Sequence, residues 1–91
     1  MPSSSADLHP TTGARFVCLR TATEPLTYAV EVWLPAPTRL QTVLSWDAAG
    51  HTNFAPALDD AWAQAELVKL ARVLHRDARE RLTRWRGRDE R

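Results

Sequence analysis

Residues 26–34, with the sequence LTYAVEVWL, limit the fold more than any other stretch of this 91-residue chain. Nearly every second side chain is large and apolar, and successive side chains of a β-strand point to opposite faces. The stretch therefore predicts a half-buried strand. Its inner face carries Leu26, Tyr28, Val30, Val32 and Leu34, and its outer face carries Thr27, Ala29, Glu31 and Trp33.

Two further stretches, residues 14–21 and 40–46, have the composition of strands. The segments between the three strands, residues 22–25 and 35–39, are four and five residues long. Such short connections form antiparallel hairpins, since parallel neighbours need a dozen or more connecting residues. The sequence therefore predicts a three-stranded antiparallel meander.

After a loop at residues 47–53, the spacing of apolar residues changes from two to three or four. That period is typical of an amphipathic helix, and it predicts one helix over residues 56–86. Asp59 and Asp60 suit the positive end of the helix dipole, and Gly87 suits the position that ends a helix. The apolar stripe of this helix consists of Leu67, Leu70, Ala71, Leu74, Ala78, Leu82 and Trp85.

Together these elements predict an α+β fold, a three-stranded antiparallel β-meander followed by one long C-terminal α-helix (βββα) that covers one face of the sheet. A chain of this length forms one domain, which we place at residues 14–87. Residues 1–13 are rich in Ser, Thr and Pro, and such segments bury too little to fold. We expect residues 1–13 and 88–91 to be disordered tails.

The sequence also bears on the compartment. No run approaches the roughly 18 consecutive apolar residues that cross a bilayer, and residues 1–13 lack the charged and apolar parts of a secretory signal. Cys18 is the single cysteine, which excludes an internal disulfide and fits a reducing compartment. We expect a cytoplasmic protein without a membrane partner, in which Cys18 is a buried, unreactive thiol.

Residues for catalysis or cofactor binding form no pattern in this sequence. The three histidines lack the spacing of zinc ligands, and the three glycines form no phosphate-binding loop. One helix on one sheet also leaves little room for a pocket within a subunit. We therefore expect no enzyme, no cofactor and no catalytic or metal-binding residues. The alternative is an active site between subunits near Asp47 and His51, in the loop after the third strand.

The predicted helix is longer than the predicted sheet. Some thirty helical residues span about 45 Å, whereas strands of seven to nine residues span about 23–30 Å, so the last ten helical residues should overhang the sheet. Two uncovered apolar surfaces, this overhang and the outer sheet face, predict self-association. The outer sheet face carries Trp33, Ala29 and Val43, with either Val17 and Leu19 or Phe16 and Cys18. The alternative to an overhang is a helix that bends or breaks near His75, so that the tail folds back.

The uncovered surfaces lead to a functional expectation. We expect a small non-catalytic protein-interaction or accessory module that forms a homodimer and can serve as the partner of another protein. The overhang or the exposed sheet face would form the contact. The predicted interface consists of Trp33, Leu74, Ala78, Leu82 and Trp85.

Charge divides the chain into two parts. Residues 1–68 carry three arginines and seven acidic residues, a net charge of −4, whereas residues 69–91 carry nine Lys or Arg and four acidic residues, a net charge of +5. The second function hypothesis is therefore nucleic-acid binding or regulation through the basic face of the helix. A solvated helix with Asp77–Arg81 and Glu80–Arg84 pairs explains the same composition. The predicted anion contact consists of Lys69, Arg72, Arg76, Arg79 and Arg86.

Overall fold

The structure, a computed structural model, describes residues 9–88. Neighbouring strands of its sheet are all antiparallel, in the order β4-β3-β2-β1-β5. A helix, α1, packs on one face of this sheet. The elements are β1 (Ala14–Thr23), β2 (Leu26–Trp33), β3 (Arg39–Trp46), β4 (Thr52–Ala55), α1 (Ala61–Asp77) and β5 (Arg81–Arg86).

The predicted βββα fold is wrong in its number of strands. β1, β2 and β3 form an antiparallel meander, but β4 and β5 extend it on its two sides, so that the sheet has five strands. The class remains α+β. Of the two predicted tails, residues 1–8 and 89–91 lie outside the described residues.

The fourth strand begins within the predicted loop, at Thr52, after a tight turn that brings the chain back along β3. The Asp47 carboxylate accepts hydrogen bonds from the backbone N–H groups of Ala49 and His51, both at 2.9 Å. Gly50 adopts a φ of 87° in the same turn, a conformation that glycine takes without strain. With four residues, β4 is too short for alternation to be visible in the sequence, and its pairing with β3 supplies its backbone partners.

The helix is shorter than predicted at both ends. It begins after Asp60, whose side chain accepts a hydrogen bond from the backbone N–H of Ala63 at 3.0 Å, which is the usual arrangement of an N-cap. It ends at Asp77, because Ala78 adopts the left-handed conformation (φ 50°, ψ 41°) and donates its N–H to the Leu74 carbonyl at 2.7 Å. The prediction that the helix continues to residue 86 is therefore wrong.

The predicted C-terminal part of the helix is instead the edge strand β5. It pairs with β1 in the register Cys18↔Leu82 and Arg15↔Trp85, so the chain folds back after α1. A helix of 17 residues spans about 25 Å, close to the length of β2 and β3, and no overhang remains. The apolar spacing of Leu82 and Trp85 fits a helix, but in the strand these two side chains lie on opposite faces of the sheet.

The core lies between α1 and one face of the sheet. The structure settles the inner face of β1, because Phe16 and Cys18 are fully buried whereas Leu19 is 41% exposed. Burial raises the pKa of the Cys18 thiol to about 12. The sheet contributes Phe16, Cys18, Tyr28, Val30, Val32, Leu44 and Leu82 to this core, and the helix contributes Ala63, Leu67, Leu70, Ala71 and Leu74.

The turn between α1 and β5 is held by hydrogen bonds from β1 and β2. The Arg20 guanidinium donates to the Ala78 carbonyl at 2.7 Å, and the Tyr28 hydroxyl donates to the Arg79 carbonyl at 2.6 Å. The Arg20 backbone N–H donates to the Glu80 carbonyl at 2.9 Å. These three bonds satisfy carbonyls that follow the last helical turn, and they fix the direction in which β5 starts.

Removing the hydroxyl of Tyr28 should weaken this turn and change how stability depends on pH. Burial raises the pKa of Tyr28 above its ordinary value, and the Arg20 guanidinium opposes part of the rise. The folded-state pKa is therefore the higher one, so this stability is fully present below about pH 10, the ordinary tyrosine pKa, and is lost as the pH rises through the folded pKa.

We expect Tyr28→Phe to lower the free energy of unfolding by about 1 kcal/mol at neutral pH. As the pH rises above about 10, the variant should then lose less stability than the parent does. Urea unfolding over a pH series measures both effects, and absorbance of the single tyrosine at alkaline pH reports its titration. Parallel pH profiles for the two proteins would contradict the assignment.

Candidate interaction surface

Residues 9–13 lie over Trp33 at one end of the sheet face opposite α1, and no helix or strand of the described chain covers the rest of that face. We call it the open face. Strand alternation and register place on it Arg15, Val17 and Leu19 of β1, Ala29 and Glu31 of β2, Gln41 and Val43 of β3, Ala55 of β4, and Arg81, Thr83 and Trp85 of β5.

The open face carries the exposed large apolar side chains of the described residues. Leu19, Val43 and Trp85 are 41%, 43% and 52% exposed, and all three lie on this side of the sheet. Leu19 pairs with Ala29 across the strands, and Ala29 pairs with Val43. The small side chain of Ala29 therefore lies between two larger apolar ones.

A shallow groove runs along the middle of the open face. Its volume is about 380 Å³. The walls include Val17, Leu19 and Val43, and two polar side chains, Glu31 and Gln41, lie at the groove. Because the lining is mostly apolar, the groove fits an apolar side chain or a flat apolar surface better than a charged ligand.

The charge at the groove is partly neutralised within the chain. The Arg39 guanidinium lies 3.6 Å from the Glu31 carboxylate, with both side chains partly exposed. The same guanidinium carbon lies 5.1 Å from the ring centroid of Trp33, a cation–π distance. An incoming apolar surface therefore meets a paired carboxylate rather than an isolated charge.

Trp33, the first of the predicted interface residues, is covered by its own chain. It is 4% exposed, and the His9 ring packs edge-on against it at a centroid distance of 4.9 Å. A ring nitrogen of His9 lies 2.7 Å from the Leu34 carbonyl oxygen. The Trp33 indole N–H is buried and has no hydrogen-bond partner among the described residues.

Residues 9–13, part of the predicted N-terminal tail, continue this covering segment. The Trp85 indole N–H donates a hydrogen bond to the Thr12 carbonyl at 3.0 Å. The segment therefore contacts tryptophans of two strands, β2 and β5, at one end of the sheet. Trp85 nevertheless remains half exposed.

The other predicted interface residues occupy different environments. Leu74 and Leu82 lie in the core between α1 and the sheet, with exposures of 0% and 3%. Ala78 is partly buried in the turn after the helix. Of the five predicted residues, the structure leaves only Trp85 with a largely exposed side chain on the open face.

The predicted cation cluster is extensively paired with acidic residues. Lys69 lies 3.0 Å and Arg86 lies 3.6 Å from the Glu66 carboxylate. Arg76 and Arg79 lie 3.0 and 3.5 Å from Asp77, and the hydrogen bond from Arg76 lowers the pKa of that carboxyl.

The remaining predicted contact, Arg72, is exposed on α1. Arg86 belongs to β5 and not to the helix. The carboxylates of Glu66 and Asp77 lie among the cations, so they reduce the positive potential that a phosphate backbone would meet.

The loop near Asp47 and His51 is a turn in the structure. Two backbone N–H groups hydrogen-bond to the Asp47 carboxylate, and the one from His51 contributes most to holding its pKa below the usual range. The His51 ring lies 3.4 Å from the same carboxylate with its side chain 80% exposed. His75 stacks on Trp46 at a centroid distance of 4.9 Å.

Residues 9–88 contain no group of three or more His, Cys, Asp or Glu side chains placed to hold a metal ion. None of the helices they form is long and apolar enough to cross a membrane.

The predicted helix hid the fact that residues 81–86, with their three arginines, form an edge strand. Read with a period of two, residues 81–86 (RLTRWR) place Leu82 alone on a buried side and Thr83 and Trp85 on the other. This alternation is hard to see in the sequence, because Leu82 and Trp85 also continue the helical spacing of the residues before them.

Comparison with known proteins found no matching family model, no matching curated protein and no matching solved structure. Function is therefore inferred from the shape, exposure and charge of the surfaces of this chain.

Proposed function

We propose that this protein is a non-catalytic protein-interaction module that forms a homodimer by packing two open faces together. The observation that carries the proposal is the clustering of Leu19, Val43 and Trp85, the exposed large apolar side chains of residues 9–88, on one face. Clustered apolar surface favours burial against a partner, at roughly 25 cal/mol per Å² removed from water.

The size of the open face is compatible with a stable dimer. The five strands contain 36 residues. At a rise of about 3.4 Å per residue and a strand spacing of about 4.8 Å, they give a face of about 590 Å² per protomer. Two such faces bury roughly 1,200 Å², at the lower end of the usual range of about 1,200–2,000 Å² for specific interfaces. Sheets that pack face to face do so at about −30°, with interdigitating side chains.

The composition of the open face also supports this contact. The groove beside Ala29 can accept an apolar side chain of the second copy, because it is flanked by Leu19 and Val43. The Glu31–Arg39 pair brings no net charge to this region. The proposal assigns no catalytic residue and no cofactor.

Adding a charge at the centre of the open face should separate the dimer. We expect Val43→Glu to raise the dimer dissociation constant at least about 30-fold, because an unpaired carboxylate buried in an apolar contact costs about 2 kcal/mol or more. Sedimentation velocity over a range of chain concentrations measures this constant for the parent and the variant.

A matched control adds the same charge elsewhere. Ala65 is exposed on α1, away from the open face, and Ala65→Glu should leave the dimer unchanged. A parent chain that stays monomeric at millimolar concentration would overturn the proposal. So would a Val43→Glu variant that associates as tightly as the parent.

Nucleic-acid binding is the second candidate, and the exposure of Trp85 beside several arginines favours it, since such a side chain can stack on a base. The pairing of Lys69, Arg76 and Arg79 with carboxylates speaks against the helix face. Binding of a labelled oligonucleotide that falls steeply with salt and is lost in an Arg72/Arg76/Arg79 triple-alanine variant would support it.

A further inference from the structure

The outer edge of β5 offers unpaired backbone groups. β5 has a single strand neighbour, β1. The Arg20 N–H donates to the Glu80 carbonyl, so Glu80 directs its backbone groups towards β1. Because these groups alternate along an antiparallel strand, Leu82, Arg84 and Arg86 do the same.

The remaining residues of β5, Arg81, Thr83 and Trp85, therefore direct their backbone N–H and C=O groups away from the sheet. A side-chain contact gives independent support. The guanidinium of Arg84 donates a hydrogen bond to the Thr83 carbonyl at 3.2 Å, so that carbonyl is open to a donor from outside the β1–β5 pairing. The Arg84 side chain thus lies along the free edge.

The edge is strongly cationic. Arg81, Arg84 and Arg86 belong to β5 itself, and the strand contains no acidic residue. Arg86 is paired with Glu66 at 3.6 Å, whereas Arg81 and Arg84 are exposed. Their side chains lie on opposite faces of the sheet, with Arg81 on the open face and Arg84 on the helix face.

The opposite edge of the sheet lacks these features. β4 has four residues, none of them charged, and it is followed by Pro56, which has no backbone N–H to donate. A peptide that adds to the sheet through backbone pairing and charge therefore finds its partner groups at β5.

We propose that the outer edge of β5 binds an extended acidic peptide of a partner protein, which adds to the sheet as a sixth strand. Backbone groups of Arg81, Thr83 and Trp85 would pair with the peptide, as in other cases of strand addition. Its acidic side chains alternate between the two faces, where they meet Arg81 and Arg84. Arg84 then exchanges the Thr83 carbonyl for a peptide carboxylate and leaves that carbonyl free to pair.

Charge selects this occupant over a second copy of the same strand. Antiparallel pairing of two β5 edges would bring arginines of both copies close together, and like charges facing each other across strands are destabilising. The edge would bind through backbone groups that point sideways out of the sheet, whereas the homodimer would use side chains of the open face, Trp85 among them, so this inference does not rest on the homodimer.

The test uses a labelled peptide of Glu-Glu-Val-Val repeats, which in an extended strand presents Glu on both faces, titrated with the full chain in fluorescence anisotropy. We expect Thr83→Pro to weaken binding at least about tenfold, because proline removes an outward N–H without removing a bond to β1. Thr83→Ala is the matched control and should bind within about twofold of the parent, since it keeps the backbone donor.

Two further comparisons keep the test decisive if Thr83→Pro folds poorly. The same peptide N-methylated on every residue should lose binding to the parent chain, because it has no backbone donor. Arg84→Ala should weaken binding and reduce its salt dependence, whereas Arg72→Ala on the outer face of α1 should change neither.

Several outcomes would overturn the inference. Equal binding of the methylated and unmethylated peptides would mean attraction of charge without strand pairing. Unchanged binding by Thr83→Pro, or equal binding of a peptide with Lys in place of Glu, would exclude the proposed edge contact. A single-stranded oligonucleotide that binds more tightly than the peptide and is insensitive to Thr83→Pro would assign the arginines to nucleic acid.

Discussion

Replacing Leu82 with alanine should lower the free energy of unfolding by about 2–5 kcal/mol, as for other buried leucines that leave a cavity. Leu82 is 3% exposed and is the buried side chain of β5. It packs into the core that α1 and the sheet share. The remaining side chains of β5 are exposed or partly exposed, so they offer little to replace it.

The loss of stability in Leu82→Ala should be concentrated in β5. With its main apolar contact removed, β5 should separate from β1 before the rest of the sheet unfolds. We expect hydrogen exchange of the Arg84 and Arg86 N–H groups, which face β1, to accelerate more than that of the β2–β3 pairs. Urea unfolding gives the global change, and exchange measured by NMR gives the local one.

Leu19 provides the matched control for this substitution. It removes the same atoms from the neighbouring strand, but its side chain is 41% exposed on the open face. Leu19→Ala should therefore change the free energy of unfolding of the monomer by less than about 1 kcal/mol. Equal losses for the two variants would contradict the assignment of Leu82 to the core.

Replacing Gly13 with alanine should lower the free energy of unfolding by about 2–4 kcal/mol, through backbone strain and a steric clash together. Gly13 has a φ of 74° immediately before β1. A Cβ at this position would overlap the carbonyl oxygen of Arg86. The C-terminal end of β5 would have to move away from β1 to make room.

Substitution of Gly50 separates the effect of backbone strain from that of the steric clash. It also has a positive φ, 87°, but the nearest atom to a Cβ there would be a ring carbon of His75 at 3.9 Å, an ordinary contact distance. Gly50→Ala should therefore cost only the conformational strain, about 1–2 kcal/mol. Thermal and urea unfolding of the two variants give the comparison, and a smaller loss at Gly13 than at Gly50 would contradict it.

The candidate surface could be predicted from the sequence only in part. The alternation in β2 places Ala29 and Glu31 on an outer face, and Val43 follows from β3. The position of Leu19 could not be predicted, because both faces of β1 carry apolar residues. Burial of Phe16 and Cys18 under α1 decides it.

The end of the helix could not be predicted from local sequence, because it depends on contacts with residues far away in the chain. Ala78, Leu82 and Trp85 continue a helical spacing, and local pattern alone favours one long helix. The left-handed Ala78 and the bonds from Arg20 and Tyr28 to the following carbonyls end that helix. Those donors come from strands more than fifty residues earlier in the chain.

Local patterns were enough to predict the half-buried strand β2, the short antiparallel hairpins on either side of it and the amphipathic region that became α1, because each rests on periodicity or on a short connection. The two edge strands, the inner face of β1 and the end of the helix became visible only in the folded chain. Each of these depends on hydrogen bonds or packing between distant segments, and such contacts leave little trace in the local order of residues.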